Sequence, residues 1–217
     1  MKRIPHLLRS ILHARSGLAA LEFALILPFL TITGLYGTEM AWYMLVNMRV
    51  SQVAMQVADN ASRIGDTSTL TSRKIYESDI NDIMIGAKLD GGSQLNLLNN
   101  GRIIVSSLEV DASNNQYIHW QRCKGLKNVA SSYGIAGDIK VGGMGPTGHK
   151  ITALTGDAAI FVELVYDYQP LFSSRFISNT TITALASFNV RDSRDLTQIY
   201  QTNPVSTVSS CSTFSAT

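Results

Sequence analysis

Between Leu18 and Thr38 the sequence carries a single ionisable residue, Glu22. As an α-helix these residues would extend about 31 Å, at 1.5 Å per residue, which matches a hydrocarbon core about 30 Å thick. The run is therefore predicted to cross a membrane, and whatever fold the rest adopts has to begin from that helix. Pro28 removes one backbone donor and is expected to kink or loosen it. A cleaved signal peptide would have a shorter apolar core ending in small residues of the A-x-A kind. Here the run ends in "GLYGTEMAWYMLVNM", without such a site. Aromatic Tyr36, Trp42 and Tyr43 lie near its far end, where interfacial side chains collect. A retained anchor is the expected outcome.

The flanks set an orientation. Lys2, Arg3, Arg9 and Arg15 precede the run with no acid among them, and the first basic residue after it is Arg49. Positive-inside asymmetry predicts a cytoplasmic leader and an exported body. The net charge of +2 comes from 18 basic and 16 acidic residues; taking away the leader's four basic residues leaves 14 against 16, or −2. A body so balanced has no field suited to nucleic acid.

The helix is predicted to continue past the membrane. Val46, Val50, Val53, Val57, Ala61 and Ile64 recur at steps of three or four, with Asn47, Arg49, Gln52, Gln56, Asp59 and Arg63 between them, until Gly65 ends the pattern. One half of this helix would lie in lipid and the other under a domain. The expected divisions are a leader (1–17), a transmembrane helix with an amphipathic extension (18–64), an α+β head (65–200) and a Ser/Thr-rich tail (201–217), mobile unless Cys211 ties it down.

Within the head, "SRKIYESDINDIMIGAKL" reads as a short helix with Ile75, Ile80, Ile83 and Met84 inward. "GRIIVSSLEV" and "NQYIHWQRC" flank the turn-rich "DASNN" and read as a β-hairpin. "AAIFVELVYDY" alternates Ile160, Val162, Leu164, Tyr166 and Tyr168 against a mixed face, and "TTITALASFNV" alternates Ile182, Ala184, Ala186, Phe188 and Val190 against a polar one. The predicted fold class is α+β: a small antiparallel sheet with one apolar face packed on the amphipathic half of the long helix. Residues from Gly125 to Gly156 are glycine-rich and predicted to be a long loop.

The stretch "RSGLAALEF" resembles the processing site of type IV prepilins: a basic leader ending in glycine, then an acid at the fifth position after it, followed by an aromatic. Leading into "ALILPFL", it is similar to TadE-like minor pseudopilins of the Tad (Flp) pilus system of bacteria. "AAIFVELVYDYQPLF" and "TTITALASFNVRDSRD" resemble the C-terminal strands of larger TadE-like proteins, and the resemblance does not extend to residues 66–157. The resemblance implies a pilin-like architecture and cleavage between Gly17 and Leu18 by a membrane-embedded prepilin peptidase. Glu22, beside Phe23, would meet the new N-terminal amine of a neighbouring subunit. The implied partners are that peptidase, other pilins or pseudopilins, and the inner-membrane pilus platform, with the head in the periplasm.

Physical chemistry allows the idea. A lone carboxylate in a membrane helix costs about 2.5–3.5 kcal/mol at mid-bilayer, so such groups face partners; the alternative is that Glu22 snorkels at the interface. Gly17 suits a backbone that must enter a narrow cleft. Two other readings stay open: an uncleaved anchored scaffold of the same apparatus, and a tethered enzyme or ligand-binding domain.

No motif predicts a catalytic, cofactor or metal site. "GMGPTGHK" has phosphate-loop spacing but places His149 and Lys150 where Lys and Ser/Thr belong, so a flexible glycine loop is expected. His119, four before Cys123 and expected to share its strand face, shows no orienting acid in the sequence. Asp79, Asp82, Asp192 and Asp195 read as solvated charges. Cys123 and Cys211, 88 positions apart, either bridge in an oxidising compartment or stand as separate thiols.

Overall fold

A computed structural model describes residues 15–65, 72–177 and 180–216, and side chains from Gly17 onward; the basic leader expected at 1–17 lies outside them up to residue 14. The described residues form two units, one of residues 15–43 with 170–177 and the other of residues 44–65, 72–169 and 180–216.

The first unit holds the apolar part of helix α1 (Arg15–Arg63) and the loop Pro170–Ile177. Pro28 lies inside the helix. Two polar side chains of the apolar run are satisfied by the helix itself: the Thr31 and Thr38 hydroxyls each donate to the carbonyl four residues back, Leu27 and Gly34, at 2.8 Å.

The second unit is built on a four-stranded antiparallel sheet of β1 (Gly101–Val110), β2 (Gln116–Lys124), β3 (Ala159–Asp167) and β4 (Thr181–Asn189), in the order β2-β1-β3-β4. Two further helices, α2 (Glu77–Leu95) and α3 (Leu97–Asn100), precede β1. The register puts Ile103, Val105, Ser107, Ile160, Val162, Leu164, Ile182, Ala184 and Ala186 on one face. That face looks to the helices: the Tyr166 hydroxyl donates to the Leu95 carbonyl at 2.9 Å, and Arg122 bonds the Glu77 carboxylate. On α1 the stripe Val46, Val50, Val53, Ala54, Val57, Ala58 and Ala61 is buried, as an amphipathic helix requires.

The other face was read from the sequence as mixed. It is covered as well, because the glycine-rich loop folds back over it. Met144, Ala153 and Tyr133 of that loop join a core with Leu108, Ile118, Ala159 and Phe161. Gln116 exchanges hydrogen bonds with both backbone groups of Ala153, and Ser132 N–H donates to the buried Glu163 carboxylate. Of the glycine loop expected at "GMGPTGHK", Gly143 and Met144 are buried while Pro146 to Lys150 are exposed. Met144 pairs with Ile151 across a bridge, and Gly143 (φ +95°) approaches so closely that a Cβ there would lie 2.0 Å from the Ile151 carbonyl oxygen.

The Ser/Thr-rich tail docks on the same face. Cys123 and Cys211 form a disulfide, Cys123 N–H donates to Ser209 and Gly125 N–H to Ser215. Buried Arg102 donates to the carbonyls of Gly125, Cys211 and Thr213, with the Phe214 ring 4.2 Å from its guanidinium carbon.

Candidate functional site

Among the described residues, most large apolar side chains of α1's first half are exposed. Phe29 is 74% exposed and Leu25 62%, and the most apolar window of the helix has none of its residues buried. By length and composition this helix suffices to cross a membrane. A row of such side chains is stable only against another apolar medium, lipid or a second protein surface.

Gly17, Leu18, Glu22 and Phe23 all lie on this uncovered stretch, Leu18 and Phe23 each 61% exposed. A Cβ at Gly17 would meet nothing within 4 Å, so the fold itself sets no need for glycine there. Glu22 has no hydrogen-bond or ion-pair partner among the described residues. The same lack of intramolecular demand holds for Gly34 and Gly37.

One residue past the apolar run, Glu39 is fully buried. Its two carboxylate oxygens each accept a backbone N–H, from Leu171 at 3.0 Å and from Phe172 at 2.9 Å. Such charge-assisted bonds hold the loop Pro170–Ile177 and offset the burial of the acid. Further along the loop, Phe176 lies against Tyr36, ring centroids 6.2 Å apart. Sequence reasoning passed over Glu39. The available signal was a connection, "PLFSSRFI", too apolar for a solvated turn.

A second polar cluster lies in the sheet. Strand pairing shifts register between Ser107 and Leu108, whose partners are Trp120 and Ile118, and leaves His119 as the extra residue of a β-bulge. The bulge brings His119 Nδ1 to 2.8 Å from Glu109 Oε2, while the Ser107 hydroxyl donates to Glu109 Oε1 at 2.7 Å. The expectation that His119 lacks an orienting acid is thus corrected. So is its shared face with Cys123, which the register places on the opposite side. The hydrogen bond to Glu109 raises the His119 pKa above its ordinary value, against the opposing effect of burial. Nearby, Arg194 donates to the carbonyls of Ala61 and Ile64, and burial pushes its pKa down to about 10. Side chains fill the crevice among these groups. Both Ser107 and His119 bond the acid instead of each other, which is no nucleophile–base relay.

Three of the four aspartates expected to be solvated have partners. Asp79 accepts from the Tyr76 N–H at the start of α2, Asp192 pairs with Arg73, and Asp195 accepts from Thr197 and Tyr200. Among the described residues no three metal-ligating side chains converge. No protein-family model, curated protein or solved structure matches this chain.

Proposed function

We propose that the chain is a membrane-anchored, pilin-like assembly subunit, of the kind represented by TadE-like minor pseudopilins of Tad-type pili. The apolar half of α1 spans the inner membrane, with the basic leader cytoplasmic and the α+β head periplasmic. A prepilin peptidase cuts after Gly17, and the processed helix packs with other pilins and the inner-membrane platform through Glu22 and its neighbours. The chain acts as a substrate and a structural component, and no enzymatic step is assigned to it.

The observation that carries this reading is the combination on one helix of an exposed apolar surface, an exposed Glu22 and a glycine whose Cβ would meet nothing within 4 Å among the described residues. Cleavage after Gly17 would place a new amine on Leu18, one helical turn from Glu22, and a neighbouring subunit's amine would relieve the carboxylate's burial. One observation favours the uncleaved scaffold instead: Gly17 and Leu18 both lie within α1, so the bond between them sits inside a helical turn that a peptidase must first open.

The deciding experiment is the N-terminal sequence and intact mass of the protein from native membranes. A chain beginning at Leu18 is the expected result, and one that retains the leader selects the scaffold. Once maturation is established, Glu22→Ala should still be cleaved yet fail to assemble. Normal assembly in that variant would reduce Glu22 to an interfacial bystander.

A further inference from the structure

We propose that the loop Pro170–Ile177 is a second membrane contact, entering the interfacial layer of the bilayer at the end where α1 leaves it. The proposal rests on α1 crossing that bilayer.

The loop is apolar where a solvated connection would be polar, and Leu171 and Phe172 at its start face outward. Leu171 is 50% exposed and Phe172 51%. These two are also the residues whose N–H groups are fastened to Glu39, immediately after the apolar run. The fastening satisfies backbone donors that would otherwise need water, which is the condition irregular backbone must meet at membrane depth. It also prevents Leu171 and Phe172 from folding inward.

Depth follows from the second attachment. Phe176 packs against Tyr36, two residues inside the end of the span at Thr38, so the loop reaches back about 3 Å past that end at 1.5 Å per residue. Tyr36 is itself 47% exposed, and Ile32, one turn deeper, is 59% exposed. The uncovered surface of the loop therefore continues the surface the helix presents to lipid. Exposed Arg175 supplies a cation on the same loop, suited to headgroup phosphate. That arrangement fits a phospholipid interface: apolar residues and a basic group presented together, with the backbone already satisfied.

The test uses the full chain in vesicles of mixed zwitterionic and anionic phospholipid, with Trp42→Phe removing the indole nearest the interface and Trp120, buried in the sheet, left as a constant background. Phe172→Trp, and independently Leu171→Trp, report the loop; Phe29→Trp reports the middle of the span. Lipids brominated near the headgroup end or near the tail end of the acyl chain quench tryptophan by depth. The expected result is that both loop reporters lose about half their emission or more to the shallow bromines and less to the deep ones, with the opposite ranking for Phe29→Trp. Adding Glu39→Gln should weaken the quenching of the Phe172→Trp reporter.

Loop reporters unquenched by either lipid, beside a quenched Phe29→Trp, would overturn the proposal and leave the spanning helix standing. If Phe29→Trp is unquenched too, α1 does not span and both readings fall. Blue-shifted loop emission that ignores bromine and follows the protein-to-lipid ratio would assign the loop to a second copy of the chain, which also overturns it.

Discussion

At the scale of single residues, a buried arginine and a half-buried histidine act in different ways. Arg102 is 1% exposed, and its guanidinium collects carbonyls from Gly125, Cys211 and Thr213. Replacing it by Met should leave those carbonyls short of a donor and lower the head's unfolding free energy by about 2–4 kcal/mol in urea titration. Arg102→Lys should recover only part of this, because an ammonium cannot fork to several acceptors at once. His119 gives a pH signature. Its folded pKa is raised above the ordinary 6.5 by Glu109, so the stability it contributes is fully present below the unfolded value and is lost as pH rises through the folded one. Denaturation of the head measured from mildly acidic to mildly alkaline pH should show that decline, and His119→Gln should flatten it.

At the scale of elements, the face of β3 and β4 carrying Ile160, Val162, Leu164, Ile182 and Ala184 was legible because a two-residue apolar alternation identifies a half-buried strand. The cover over the opposite face was not legible. It is made by a loop without periodicity, and its decisive links are single pairings such as Gln116 with Ala153 and Ser132 with Glu163, which no local pattern announces. The β-bulge hid the His119–Glu109 pair in the same way, since one extra residue exchanges the faces of everything beyond it. The loop's dependence on backbone shape can be measured. Gly143→Ala should cost about 1–3 kcal/mol or more, because it combines positive φ with a Cβ set against the Ile151 carbonyl. Gly137→Ala, also at positive φ but with nothing within 4 Å, should cost less, and paired urea titrations of the two variants check the ranking.

For the whole molecule, the uncovered first half of α1 was readable from composition alone, since a long apolar run announces its own solvent. Glu39 was not, because its partners Leu171 and Phe172 are more than a hundred residues away and offer only backbone N–H groups, which every residue has. The disulfide acts at the same long range. Cys123→Ser opens a loop of 88 residues' separation and should cost about 4–5 kcal/mol on the chain-entropy account, read as a fall in the head's urea midpoint. The docked tail also imposes an order of events during synthesis. Arg102 belongs to the first strand made, yet two of its carbonyl acceptors, on Cys211 and Thr213, come 109 and 111 residues later. At about 5–20 residues per second, the cation waits on the order of 5–20 s for its acceptors. A chain that stalls before them is left with a guanidinium whose one remaining acceptor is Gly125, so Cys211 and Thr213 act as a late check on the strand made first.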